Sequence, residues 1–209
     1  MKKLFLFYLA TAVSIATFSQ LSSLEEKETS GKKINFGIKA GIAVATAHKE
    51  YDASLYPDPP KAKSITGVTG GVFLQVPINQ KVSFQPELQL IGKGLKTKDV
   101  YNSFYYPEKT TYLELPLNIL FKPVSPKGSF FIGGGPAPAF YIGENVFYSS
   151  GSGIKKFDFG INFLTGYEIP IGFSINLHYT HGLKNISGDK SYVPVLKNRC
   201  FGITVGYVF

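Results

Sequence analysis

Two glutamates and one histidine are the residues of this chain whose type and setting could do chemistry. Glu87 lies in FQPELQL and Glu114 in YLELPLN, each set among apolar residues at alternate positions. In extended chain both carboxylates fall on the polar faces of neighbouring strands, where a carboxylate pair could move protons or pass a cation. Lys39, Asp158 and Glu168 point to the same side if the register holds. The other reading of this set is structural. Buried charges must be paired or hydrogen-bonded, because an isolated one costs on the order of several kcal/mol, and a barrel of about eight strands has an interior just filled by side chains. That expectation makes the five charges a polar network plugging a narrow interior. His178 offers a second chemistry: it is four residues from Ser174 on one face, and Asp158 on the neighbouring segment could complete a Ser-His-Asp triad of a lipid hydrolase or acyltransferase. No strained nucleophile motif accompanies Ser174, so a hydrogen-bonded filler is expected at His178 and the chain reads as non-catalytic.

The elements that must position these residues are extended. From Ile34 onward the sequence alternates, and eight segments are predicted as strands: Ile34–Thr46, Ile65–Ile78, Lys81–Lys96, Thr110–Lys122, Ser129–Ile142, Lys156–Glu168, Ile171–Leu183 and Arg199–Phe209. Each meets the ~9–11 residues a tilted membrane strand needs. In the sixth, Phe157, Phe159, Ile161 and Phe163 oppose Asp158, Gly160 and Asn162; in the seventh, Phe173, Ile175, Leu177 and Tyr179 oppose Ser174, Asn176, His178 and Thr180. The polar faces lack the lysine-glutamate mixture of a solvated exterior and are taken as the interior. A soluble cup-shaped barrel would turn its apolar faces inward instead.

The connections alternate in length. Asn79-Gln80, Pro123–Gly128 and Pro170 are short, whereas His48–Ser64, Thr97–Lys109, Gly143–Lys155 and Lys184–Asn198 are long and polar or tyrosine-rich. This rhythm predicts an all-β, eight-stranded antiparallel up-and-down transmembrane β-barrel in the outer membrane of a Gram-negative cell, both ends periplasmic and the long loops extracellular. Pro86, Pro116, Pro136 and Pro138 fall inside predicted strands, where each removes a ladder donor; local bulges are expected there.

Composition agrees with β-structure: 13 Tyr, 18 Phe and 22 Gly, with no Trp and one Met. Residues 1–19 read as a signal peptide, with Lys2 and Lys3, an apolar run from Leu4 to Ala16 too short to span a bilayer, and small residues around Phe18. Residues 20–33 are a polar, flexible periplasmic lead-in, and 34–209 the barrel. No cysteine follows the apolar run, so no lipoprotein anchor is expected. The single Cys200 excludes an intramolecular disulfide and a cysteine-based metal cluster, and it reads as an inward packing residue. No cofactor or metal site is predicted. The formal charge of +8 is spread over scattered residues without a nucleic-acid module, so no nucleic-acid partner is expected. Basic residues near strand ends suit anionic lipid headgroups instead.

Among the loop aromatics, Tyr101, Phe104, Tyr105 and Tyr106 form the best candidate for a contact with another protein or a glycan. An interfacial girdle is the plainer account of such residues.

Several stretches together resemble the PorT-like outer-membrane β-barrel domain family of the Bacteroidota. They are Gly37–Gly41 (GIKAG), Phe84–Leu90 with Lys93-Gly94, Tyr112–Leu117 (YLELPL), Phe157–Gly160 (FDFG), His178–Ile186 (HYTHGLKNI), and Asn198-Arg199 leading to the closing GYVF. The resemblance implies the barrel fold, but no activity. It also implies that the terminal aromatics Tyr207 and Phe209 form a signal read by the barrel-insertion machinery. His178 departs from the family, whose seventh strand often has arginine there. PorT itself is similar to an accessory of type IX secretion. That role does not carry over with the barrel motifs; because the interior is too narrow for bulk solute and no catalytic motif is convincing, the leading expectation is a non-catalytic accessory or structural subunit of a larger outer-membrane complex, for secretion, barrel assembly or nutrient uptake. The alternative is a small channel or ligand-binding barrel.

Overall fold

The computed structural model describes residues 33–50, 62–98, 105–123, 125–145, 154–188 and 195–209. The predicted signal peptide, and the lead-in up to residue 32, lie outside the described residues. Within the unit Lys33–Phe209 every named element is a strand: β1 (Asn35–Glu50), β2 (Ala62–Lys63), β3 (Ile65–Pro77), β4 (Val82–Lys98), β5 (Tyr105–Glu114), β6 (Leu117–Phe121), β7 (Ser129–Asn145), β8 (Phe157–Glu168), β9 (Phe173–Gly182) and β10 (Val195–Val208). Several strands run past their predicted ends, so β1, β4, β5, β7 and β10 take in residues expected to be loop.

All pairings are antiparallel. The path of neighbours runs β2-β4-β3-β1-β10-β9-β8-β7-β5; β6 lies off it, pairing with β4 and β7, and β4 also pairs with β5. The first and last long strands lie side by side, from Gly37 opposite Val208 to Glu50 opposite Val195. That pairing is the expected one, but the regular eight-stranded up-and-down barrel is corrected, because the pairings branch at β4 and β7 and do not close into a regular eight-stranded ring. The all-β sheet has ten segments, and the predicted strand Thr110–Lys122 is broken into β5 and β6 at Leu115-Pro116.

The break is a proline effect. Glu87 N–H donates to the Pro116 carbonyl (2.9 Å) and Leu115 N–H to the Pro138 carbonyl (2.9 Å), but neither proline can return a bond. Pro136, two residues from Pro138, faces the same way, and Pro86 sits where the β3–β4 ladder skips from Phe73–Glu87 to Val76–Phe84. Four ladder donors are thus missing from one neighbourhood of the wall. The expected bulges are absent from these sites: the register of β4 is the same against β5 and β6. A bulge lies instead at Thr111/Tyr112, where Ile142 of β7 is the extra residue.

The two faces of the sheet are inverted relative to a soluble protein. Ile42, Phe163, Ile175, Ile203 and Val205 are each exposed by 43–61%, while Glu87, Glu114, Asn118, Asp158, Asn162 and His178 are at most 2% exposed. An apolar exterior around a polar interior is the arrangement a bilayer selects, because lipid replaces water outside. The interior is layered. Up β4 from the Asn79-Gln80 turn the inward residues are Ser83, Gln85, Glu87, Gln89, Ile91, Lys93 and Leu95. Ile91 belongs to an apolar layer with Ala43, Ala45, Ile65, Tyr112, Ala139 and Cys200; Leu120, Phe131 and Leu164 form a second apolar cluster.

Candidate functional site

The interior lysines are each neutralised by a glutamate, and the pairs are then wired together. Lys39 of β1 pairs with Glu87 of β4, and Lys93 of β4 with Glu114 of β5; all four side chains are buried. The other oxygen of Glu87 accepts from Gln85 Nε2 (2.8 Å) and Asn118 Nδ2 (3.0 Å). Asn118 Oδ1 accepts from Asn162 Nδ2 (3.0 Å). The Thr180 hydroxyl lies 3.1 Å from Asn162 Oδ1 and 3.2 Å from Glu114 Oε1, so its one proton can serve either. Gln89 Nε2 completes Glu114 (3.1 Å). One chain of contacts therefore links the two ion pairs across β1, β4, β6, β8, β9 and β5. A third pair, Lys122 to Glu168 (2.7 Å), is half-open to solvent near the short turns and shares Gln75.

The residues singled out from the sequence divide in this frame. Lys39, Glu87, Glu114, Asp158 and His178 are buried on the inner face, and Glu168 is partly buried. Glu87 and Glu114 do not form a carboxylate pair, since each is held by its own lysine. Asp158 accepts from Asn198 Nδ2 (2.9 Å) and from the Phe159 N–H (2.8 Å). The triad is not assembled: Ser174 and His178 are two inward positions apart on β9, roughly 13 Å along an extended strand, and neither ring nitrogen of His178 has a hydrogen-bond partner among the described residues. The expected hydrogen-bonded filler is corrected by the same fact. What holds the ring is packing on Gly202 of β10, where a Cβ would fall 2.3 Å from the ring. Lys93 and Lys122 complete the ion pairs and were missed as site residues. Lys93 was findable, being in phase with Glu87 and Gln89 along β4.

Four further buried polar atoms lack a partner among the described residues: Thr69 Oγ1, Ser83 Oγ, Gln89 Oε1 and Tyr112 Oη. They sit at different heights of the interior. Towards the short turns a cavity opens between the lower charges, lined by Lys39, Gln75, Gln85, Glu87, Glu168 and Asn176, with Phe73, Phe131 and Leu164 on its apolar side.

At the chain end, Phe209 stacks on Phe36 (5.8 Å between ring centroids) and meets Tyr207 edge-on (4.9 Å), while Tyr207 packs on Phe173 (4.9 Å). Phe209 N–H donates to the Phe36 carbonyl (2.8 Å), tying the last residue to β1. Of the proposed loop contact, Tyr101 and Phe104 lie outside the described residues. Tyr105 and Tyr106 open β5, opposite Lys98 and Thr97.

Comparison with known proteins places this geometry. The family described as outer membrane protein beta-barrel domain matches residues 18–188. No curated protein sequence matches. Among solved structures, the outer membrane protein OprG of Pseudomonas aeruginosa aligns at a TM-score of 0.56 with 13% identity, covering 85% of this chain and 97% of that one. The outer membrane protein AlkL, solved in DMPC bilayers, aligns at 0.50 with 12% identity, covering 87% and 93%. At such identities the likeness extends to the fold alone. The match is to the general family, without restriction to PorT-like members or to the Bacteroidota.

Proposed function

This chain belongs to the outer membrane protein β-barrel domain family, and from that premise we propose that it is a narrow channel, closed at rest, for water-sized polar solutes or small ions. The observation that carries the reading is the set of buried polar atoms unpartnered among the described residues, Thr69 Oγ1, Ser83 Oγ, Gln89 Oε1, Tyr112 Oη and both nitrogens of His178. Buried polar groups are almost always hydrogen-bonded, to ordered water where protein offers nothing. A bore with such groups at several heights is a hydrated bore. Its ion pairs cancel all of the fixed charge along the described bore except that of Asp158, so permeation is governed by their rearrangement and by the layer of Ala43, Ala45, Ile65, Ile91 and the Tyr112 ring, which closes it by dewetting.

The same proposal takes the protein as non-catalytic, with both chain ends periplasmic, the long connections outside, and Tyr207 and Phe209 read by the barrel-insertion machinery. A narrower place among the PorT-like members of the Bacteroidota is carried by the quoted motifs alone. An accessory subunit of a larger outer-membrane complex was the leading expectation from sequence; here it yields to the channel, because the unpartnered interior atoms bear on permeation and no described surface bears on docking.

Planar-bilayer recording tests the reading. The native protein should give rare, small, ion-selective openings, and Tyr112→Ala, which thins the apolar layer, should raise open probability severalfold. Silence from both proteins, each shown folded by heat-modifiable migration, would exclude a channel. A native pull-down yielding a stoichiometric outer-membrane partner would then restore the accessory role.

A further inference from the structure

We propose that the outward face of β1, β10 and β9, at the end remote from the short turns, binds the phosphate of a phosphorylated lipid headgroup, with Arg199 and Lys197 as its principal cations. The placement follows from alternation and register. On β10 the outward residues are Lys197, Arg199, Phe201, Ile203 and Val205 in order, so the change from cation to hydrocarbon takes one step. Directly opposite residues of neighbouring strands share a face. His48 of β1 stands opposite Lys197, and His181 of β9 opposite Arg199. Just past β9, Lys184 lies over the Phe157 ring, 4.3 Å from its centroid. Three neighbouring strands and the segment just past β9 therefore bring three permanent cations and two histidines to one strip.

Among the described residues the strip lacks the anions that would neutralise it. Glu50 faces it, but hydrogen-bonds His48 (3.1 Å). Asp158 points inward to Asn198. Lys197 and Arg199 have no ion-pair partner among the described residues. Lys197 and Arg199 stand two residues apart on the outward face of β10 with no carboxylate paired to either among the described residues, so the strip is open to an external anion. A guanidinium fork suits a phosphate, which it can grip with two parallel N–H bonds.

What makes the anion a lipid is the floor of the strip. Phe201 is 44% exposed and Val44 of β1 41%, and both continue into the apolar band through Ile203 and Ile42. A headgroup held at Arg199 therefore lays its acyl chains on that band, while a soluble phosphate would leave it to other lipids. The opposite rim is built differently, with Phe36, Phe130, Tyr167, Phe173 and Phe209 facing outward. It is suited to anchoring at an interface without selecting charge.

The test uses the full chain, refolded in phosphatidylcholine vesicles with and without phosphatidic acid, and counts retained lipids by native mass spectrometry. Wild type should retain phosphatidic acid over phosphatidylcholine by about tenfold or more, and the K197Q/R199Q double variant should lose most of that preference, at about fivefold per cation removed. Lys184→Gln gives a milder second loss. Lys127→Gln, at the short-turn end, should leave the preference unchanged, and heat-modifiable migration reports folding of each protein. Equal retention of the two lipids by wild type, or a preference that K197Q/R199Q leaves intact, overturns the proposal. Full displacement of phosphatidic acid by millimolar inorganic phosphate would also overturn it, by showing a free-phosphate site.

Discussion

At the scale of single residues, the interior is a problem in charge burial that the chain meets by pairing. Glu114 has no measurable exposure and is held by Lys93, Gln89 and Thr180. Removing one partner leaves the other as an uncompensated buried charge, which costs about 3–5 kcal/mol, whereas removing both with apolar groups of similar volume is often near neutral. Lys93→Met should therefore lower unfolding stability in detergent by about that amount, and Lys93→Met with Glu114→Leu should recover most of it. Denaturant titration of the two variants checks this; equal losses in both would mean that the pair is a bystander. Phase alone made Glu87, Glu114 and Lys93 legible as inward residues. Their partners were not legible, since Asn118 and Asn162 are 44 residues apart and meet only through the fold.

At the scale of elements, the strands were readable from alternation, but their continuity was not. Pro116 turns its missing donor toward Glu87 of β4 and Pro138 toward Leu115, so each removes a bond that its own neighbour would accept. One predicted strand thus becomes β5 and β6 with its register kept. The sequence shows the prolines; which carbonyls lose their donors depends on which strand lies alongside. The last strand ends in a contact of the same kind. Phe209 is anchored on β1 by its N–H and its ring, joining the two ends of the described sheet. Deleting Phe209 should reduce the fraction of protein that inserts and shows heat-modifiable migration, with Phe209→Tyr retaining most of it. Insertion unchanged by the deletion would show that the clasp and the proposed signal are both dispensable.

At the scale of the whole molecule, the apolar exterior is the feature that assigns a solvent. Phe163 is 55% exposed in the middle of β8 with Ile175 and Ile203 in the same band. An arginine at the midplane of a barrel costs about 2–4 kcal/mol and much less near an interface. Phe163→Arg should destabilise the protein in bilayers by about that amount while Tyr167→Arg, nearer the turns, costs less; in a water-facing barrel the two changes would be equal and small. The sequence by itself determined that the chain is made of strands and which side of each is polar, because a period of two is a local property that needs no partner; that the apolar side faces outward was decided by the tertiary structure. The tertiary structure decided which lysine neutralises which glutamate, that the broken strand divides at Leu115-Pro116, and that Arg199 meets His181 beside a hydrocarbon band. Those facts depend on register between strands, and register is set by the whole sheet at once rather than by any one stretch of the chain.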